Sequence, residues 1–319
     1  VTKIAILNDW QSVALSSADW TVLPSDAEIT VFNEALPEDE AARAAAIADF
    51  EVICLMRERT AFPRSLLERL PNLKLLNTTA MGNRTIDMAA AHELGITVCG
   101  TRGAGNGTAE LTWGLIVGLA RRIYVEREQM KAGRWQTTLG DDVIGHTLGI
   151  LGLGNIGARV AKVAQAFGMD VIAWSQNLTP EKAQEAGARY VSKEQLFAEA
   201  DYLTLHLVLS DRTRGIVGAE DLARMKPTAY LVNTSRGPLI DERALLDTLR
   251  NRRIAGAGLD TYDIEPLPAD HPLMTLDNVL LTPHLGFVTK DAYARFYGDT
   301  VENVAAYLKG EPIRVLNAG

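Results

Sequence analysis

Cysteine is scarce in this sequence. There are two in 319 residues, Cys54 and Cys99. A pair so far apart makes neither a disulfide framework nor a metal-binding motif. Each closes a short apolar run, so both are expected as reduced, buried thiols that pack like small hydrophobes. Positive charge is also in deficit: 32 Lys and Arg face 40 Asp and Glu, a formal net charge of −8. That balance argues against a nucleic acid or an anionic membrane surface as partner, while leaving room for a local basic site that holds a small anion. No apolar run reaches the roughly 18 residues needed to cross a bilayer. The chain opens on a strand-like run, Lys3 to Leu7, with no secretory leader pattern before it, so the cytoplasm is the expected compartment. No short-period repeat and no low-complexity tract is present, and no metal is expected.

What is present is ordinary globular material, 47% hydrophobic and 23% charged, long enough to bury a sizeable core in two domains. Short apolar runs at 3–7, 28–32, 52–56, 73–78 and 97–99 read as strands. They alternate with helical stretches at 39–48, 63–70 and 86–94. Residues 100–107 hold four glycines and read as a linker, followed by one long helix from about Thr108 to Lys131. A second alternating block follows. Its strands are expected at 147–151, 170–174, 202–207, 229–233, 256–259 and 279–281, and its helices at 156–167, 192–198, 218–224 and 242–250. A last helix spans about 289–309. Strand–helix alternation favours parallel sheets covered by helices. The expected fold is therefore α/β, two Rossmann-like domains with parallel sheets flanked by helices. The first comprises 1–101 and 288–319, because the last helix returns to it; the second comprises 102–287.

The run Gly152-Leu-Gly154-Asn155-Ile156-Gly157 has G-x-G-x-x-G spacing. The spacing alone is weak, but an apolar strand leads in and an amphipathic helix leads out, the context that a dinucleotide site requires. Gly152 permits the tight turn, Gly154 lets backbone N–H groups approach a diphosphate, and Gly157 lets the helix pack close to the strand. The diphosphate then sits at a helix N-terminus. The acid that would hold a ribose 2′-hydroxyl after the second strand is missing: Ser175-Gln176-Asn177 follows Trp174. None of the three is an arginine that would attract a 2′-phosphate. The cofactor is read as NAD, with NADP left open by Ser175.

Three segments place reactive side chains directly after later strands: Asn233-Thr234-Ser235-Arg236-Gly237, Asp260-Thr-Tyr-Asp-Ile-Glu265-Pro266 and Thr282-Pro-His284-Leu-Gly286. In open α/β sheets ligands bind outside the carboxyl ends of strands. An arginine there can pair bidentately with a substrate carboxylate and polarise the adjoining carbonyl. A histidine can pass the proton, and a carboxylate can hold the imidazole and stabilise its charged form. Each residue alone has a plainer reading, a solvated charge or a satisfied turn; three at strand ends behind a nucleotide loop favour chemistry. His92, His146 and His271 read as structural, with His271 the best rival to His284. Arg57 and Arg59, after a first-domain strand, are candidates for touching an anionic substrate.

These segments, together with Leu205-His206-Leu207-Val208, resemble the D-isomer-specific 2-hydroxyacid dehydrogenase family over nearly the whole chain, in the manner of glyoxylate or hydroxypyruvate reductases or of phosphoglycerate dehydrogenases without their regulatory domain. The resemblance implies hydride transfer between a nicotinamide cofactor and a small D-2-hydroxy or 2-oxo acid, in a cleft between a substrate-binding domain (1–101, 288–319) and an NAD(P)-binding Rossmann domain (102–287). It implies Arg236, Glu265 and His284 as catalytic residues. For the cofactor it implies Gly152, Gly154, Asn155, Ile156, Gly157, Ser175, His206, Thr108, Thr213, Thr234, Ser235, Asp260 and Gly286, with Asp260 at the carboxamide. For the substrate it implies Arg236 and the turn at Ala80, Met81 and Gly82. It further implies a homodimer formed through Arg121 to Trp135. Four positions depart from the family: Val208 stands for a common Pro, Ser175 for a common Asp, and Phe287 and Val288 for smaller residues. An NAD(H)-sensing protein or corepressor is the alternative within the family. Glu265 argues against a formate dehydrogenase, which pairs its His with Gln, and the mid-chain glycine loop against an L-specific dehydrogenase.

Overall fold

The computed structural model describes residues 1–103 and 105–318. The chain divides into two compact units, Val1–Gly105 with Val288–Gly319, and Asn106–Phe287. In the first unit the order is β1 (Lys3–Ile6), β2 (Glu28–Val31), α1 (Glu40–Ile47), β3 (Val52–Leu55), α2 (Arg64–Leu67), β4 (Leu75–Thr78), α3 (Met88–Glu93) and β5 (Thr97–Cys99). The strands form one parallel sheet in the order β2-β1-β3-β4-β5. β3 and β4 are buried at every position, because a parallel strand covered on both faces needs no polar side. Aspartates start α1 and α3: Asp39 accepts from the Ala42 N–H at 2.8 Å and Asp87 from that of Ala90 at 2.9 Å, satisfying donors that the first turn leaves unpaired. Cys54 and Cys99 are free and buried, and burial pushes their thiols up to about 12 and about 11.

The last helix, Lys290–Leu308, belongs to this first unit. Its buried polar residues explain how it docks. Asn77 Nδ2 donates to Thr300 Oγ1 at 2.7 Å, and Asn303 Nδ2 to Asn77 Oδ1 at 2.6 Å and to the Gly100 carbonyl at 2.8 Å. Asp299, 1% exposed, accepts from the Arg102 N–H and guanidinium at 2.8 and 2.6 Å. These bonds fix the helix against the end of the sheet, since each group would be costly to bury unpaired.

The second unit runs α4 (Gly107–Ala120), α5 (Ile123–Lys131), β6 (Thr147–Leu151), α6 (Asn155–Ala166), β7 (Asp170–Trp174), α7 (Pro180–Glu185), β8 (Arg189–Tyr190), α8 (Lys193–Glu199), β9 (Tyr202–Leu205), α9 (Ala219–Arg224), β10 (Tyr230–Asn233), α10 (Glu242–Arg250), β11 (Gly256–Leu259) and β12 (Val279–Leu281). Its parallel sheet has the order β12-β11-β10-β9-β6-β7-β8. Successive strand residues face opposite layers: Ile150 and Val232 join a core with Trp113, Ile116 and Val160, whereas Leu151 and Leu231 join one with Phe197 and Leu249. The order reverses beside β6, where the neighbouring strands β7 and β9 lead away in opposite directions. That is the switch point at which doubly wound sheets bind ligands.

Two local expectations are corrected. The single helix expected from Thr108 to Lys131 is two helices, α4 and α5, broken at Arg122, whose φ is 50°. The returning chain causes the break. The Asp141 N–H bonds to the last α4 carbonyl, Ala120, at 2.8 Å, and Gly140 lies so close that a Cβ there would meet that oxygen at 2.9 Å. α4 is largely buried, whereas α5 has no buried residue. The stretch between β7 and α8, read as connection, contains α7 and the short edge strand β8. In the linker, Ala104 lies outside the described residues and α4 already begins at Gly107. No helix of the described residues is long and apolar enough to cross a membrane.

Candidate active site

The glycine loop follows β6 directly. Gly152 has φ 105° and its N–H bonds to the Trp174 carbonyl at 2.9 Å, tying the loop to the end of β7. A Cβ at Gly152 would meet the His206 carbonyl at 2.7 Å, and one at Gly157 the Gly152 carbonyl at 2.3 Å. Only glycine fits either place. A Cβ at Gly154 would instead point into open space. This is the cradle beside the first N–H groups of α6, Asn155 and Ile156, which no carbonyl of the helix can satisfy. His206, just past β9, contributes a buried Nδ1 with no partner, while its Nε2 lies 3.0 Å from Thr204 Oγ1. Burial pushes its imidazole down to about 3, so it is neutral. Open cradle, unpaired helix amides and an orphaned nitrogen fit a dinucleotide diphosphate.

The remaining cofactor candidates of this unit are fixed by their own bonds. Thr108 Oγ1 donates to the Gly286 carbonyl at 3.0 Å. Thr234 Oγ1 lies 2.8 Å from Thr112 Oγ1, and Ser235 Oγ donates to the Leu205 carbonyl at 2.8 Å. The buried Thr213 hydroxyl accepts from the Ser210 N–H at 2.8 Å and donates to the Val208 carbonyl at 2.7 Å. It closes the loop after β9 without the proline that Val208 replaces. Ser175 follows β7 directly.

The three reactive side chains gather beyond β10, β11 and β12. Buried Asn233 shapes the arginine turn: its Nδ2 donates to the Arg236 carbonyl at 2.9 Å and its Oδ1 accepts from the Ser235 N–H at 3.0 Å. Arg236 Nη1 donates to the Ser235 carbonyl at 2.8 Å. His284 Nδ1 and Glu265 Oε2 are 2.6 Å apart, and Glu265 Oε1 accepts from the Tyr262 N–H at 2.9 Å. Burial works against the Glu265 charge, but the His284 hydrogen bond and charge, the Tyr262 N–H and the positive charge of Arg236 outweigh it and hold the carboxyl below its usual range. An ionised carboxylate has no proton to give, so the hydrogen between the two groups sits on His284 Nδ1. Nε2 is left for chemistry.

Several supports were not foreseen in the sequence. Asp260 is fully buried, and both its oxygens are engaged by the histidine loop. Oδ1 accepts from Thr282 Oγ1 at 2.6 Å and the Leu285 N–H at 2.7 Å, and Oδ2 from the Gly286 N–H at 2.9 Å. Burial raises its pKa and these donors oppose the rise. Its visible task is to anchor the loop that presents His284, whose φ is 53°. The Tyr262 hydroxyl lies 3.0 Å from the Leu259 carbonyl and 2.9 Å from that of Thr282, bridging two strand ends. Phe287 packs edge-on to the His284 ring, centroids 5.4 Å apart. The bulky residue that departs from the family pattern thus forms a wall on the imidazole.

Other candidates lie elsewhere. His271 caps a short 3-10 turn, accepting from the Leu273 N–H at 3.3 Å, and faces Glu242 at 3.4 Å. His92 faces the Asn317 carbonyl at 3.1 Å and His146 faces Asp201 at 3.4 Å. In the first unit, the Ala80 N–H already donates to Thr101 Oγ1 at 2.8 Å, so the donors offered by that turn are Met81 and Gly82. Arg59 lies 3.8 Å over the Trp10 ring and donates to the Asn8 carbonyl at 2.8 Å.

Known proteins are similar to this chain over most of its length. The family model described as D-isomer specific 2-hydroxyacid dehydrogenase, NAD binding domain, matches residues 113–286. The glyoxylate reductase of Aeropyrum pernix is 41% identical over 256 residues, 77% of this chain and 76% of its own. The hydroxypyruvate reductase of Thermotoga maritima is 37% identical over 290 residues, 89% and 92% of the two chains. The crystal structure of a phosphoglycerate oxidoreductase from Vibrio cholerae has a TM-score of 0.92 at 39% identity, over 97% of this chain and all of that one.

Proposed function

The chain belongs to the D-isomer specific 2-hydroxyacid dehydrogenases, and from that premise we propose that Arg236, Glu265 and His284 interconvert a short 2-oxo acid and its D-2-hydroxy acid. It is an oxidoreductase of 2-hydroxy acids with the family's NAD-binding domain. The named relatives are reductases, which leaves the sensing alternative without support. The names glyoxylate reductase and hydroxypyruvate reductase make two- and three-carbon 2-oxo acids the first substrates to test.

The observation that carries the reading is the 2.6 Å contact between His284 Nδ1 and Glu265. When bound, the nicotinamide supplies the hydride in reduction or accepts it in oxidation. In reduction, the proton for the carbonyl oxygen comes from His284 Nε2; in oxidation Nε2 takes the hydroxyl proton. Arg236 pairs with the carboxylate and fixes which face of the 2-carbon is presented. Asp260 and Tyr262 keep the two loops in register. Gly152–Gly157, His206, Thr234 and Ser235 would hold the cofactor.

A homodimer is part of the proposal. Ile123, Met130, Trp135 and Leu139 are 54, 60, 74 and 91% exposed along α5 and the segment after it, an apolar surface of the kind that marks an interface.

The test is a kinetic screen of 2-oxo acids with NADH and NADPH in parallel, followed by loss of reduced-cofactor absorbance. His284→Gln should lower kcat by about 100-fold or more with cofactor affinity unchanged. Failure of every acid while cofactor still binds would restore the sensing alternative.

A further inference from the structure

We infer that the adenosine-ribose subsite of this chain takes the 2′-phosphate of NADP(H), with Arg212 as the residue that holds it. The inference rests on the reading of Gly152–Gly157 as the dinucleotide cradle. Position 175, where an acid would bind two ribose hydroxyls and repel a phosphate, is serine, followed by Gln176 and Asn177. The first acid downstream, Glu181, is turned onto its own N–H and the Thr179 hydroxyl at the start of α7. The segment after β7 therefore carries no acid placed to repel a phosphate.

Attraction comes from the other side of the cradle. β7 and β9 flank β6 in the sheet, so the loops that follow them stand on either side of the glycine turn. Arg212, on the loop after β9, reaches across, and its Nη2 donates to Gln176 Oε1 at 2.8 Å. The two residues are 36 apart in sequence, which is why no local motif displays the charge. The loop is rigid at this point, because the neighbouring Thr213 hydroxyl is buried and bonded to Ser210 and Val208. Among the described residues no carboxylate pairs with Arg212; a neutral amide positions it and leaves its charge uncompensated. One donor is spent on Gln176, and the rest of the planar fork remains for a bidentate phosphate. Among the described residues this exposed guanidinium makes no ion pair, only the bond to Gln176.

Binding, without turnover, tests it. Isothermal titration should give NADPH at least about tenfold tighter than NADH, and 2′,5′-ADP tighter than 5′-AMP by a similar factor. Arg212→Met should remove most of both preferences by weakening the phosphorylated ligands, with NADH moving less than about twofold. Ser175→Asp should reverse the preference by restoring the repulsion. NADH binding as tightly as NADPH, or an equal loss of both in Arg212→Met, overturns the inference alone. Binding of neither dinucleotide overturns it together with the cradle on which it rests.

Discussion

Replacing Gly237 by alanine would test whether the arginine turn and the glutamate loop form one rigid assembly. A methyl group at 237 would lie 2.1 Å from the Tyr262 carbonyl carbon, 2.4 Å from its oxygen and 2.5 Å from the Asp263 nitrogen. Non-bonded carbons settle at about 3.5–4.0 Å, so the two segments must part by roughly 1 Å or more. Nothing nearby can yield instead, because every atom in the way is backbone. One segment carries Arg236; the other leads three residues on to Glu265 and, through it, to His284. Overpacking of this kind costs about 1–3 kcal/mol. At roughly 2–4 °C per kcal/mol for a domain of this size, the melting temperature should fall by about 2–12 °C. Misplacement of the carboxylate anchor by about 1 Å should lower kcat/KM by about 100-fold, well beyond what lost stability explains. Leu196→Ala is the control. It empties a fully buried site in α8, is expected to cost about 2–5 kcal/mol, and should leave kcat/KM at 25 °C nearly intact. A Gly237→Ala protein with wild-type melting, or with a rate loss no greater than the control's, would refute the coupling.

Two further outcomes follow from the same loops. Glu265 is held below its usual range in the folded chain, so it contributes stability above the unfolded carboxylate pKa of about 4.3, and that contribution is lost as pH falls through the lower folded value. Melting temperatures of wild type and Glu265→Gln should therefore differ most near neutrality and converge below about pH 4; a gap constant from pH 7 to 3 would sink the assignment. Asp260→Asn turns one acceptor of three converging donors into a donor. A buried unsatisfied amide costs about 1–3 kcal/mol, and the His284 loop should loosen, raising hydrogen exchange at Leu285 and Gly286 and lowering kcat. Unchanged exchange at those two amides would show that the anchoring is not Asp260's.

What the sequence disclosed was whatever lies within a few residues of itself. The glycine loop could be read because turn, diphosphate approach and helix packing each demand glycine at fixed spacing, and the structure shows the two forbidden Cβ positions at Gly152 and Gly157. The strand ends could be read because apolar runs stop where Arg236, Glu265 and His284 begin. The break at Arg122 could not. No glycine or proline marks it; the returning loop at Gly140 and Asp141 imposes it.

The same distinction governs the site. Asp260 was legible as an acid at a strand end, but its hydrogen bonds lie 22 to 26 residues away, and they make it a loop anchor as well as a cofactor candidate. Gly237 has no unusual backbone angle to announce it; its lack of a side chain matters only because Tyr262 lies across it. Arg212 is the sharpest instance. Read along the chain, the residues after β7 carry no positive charge, and NAD follows. Read across the sheet, the β9 loop delivers a guanidinium to the same place. Cofactor choice in this fold depends on which charges the two loops beside β6 bring together, and one loop's sequence reports only half of that sum.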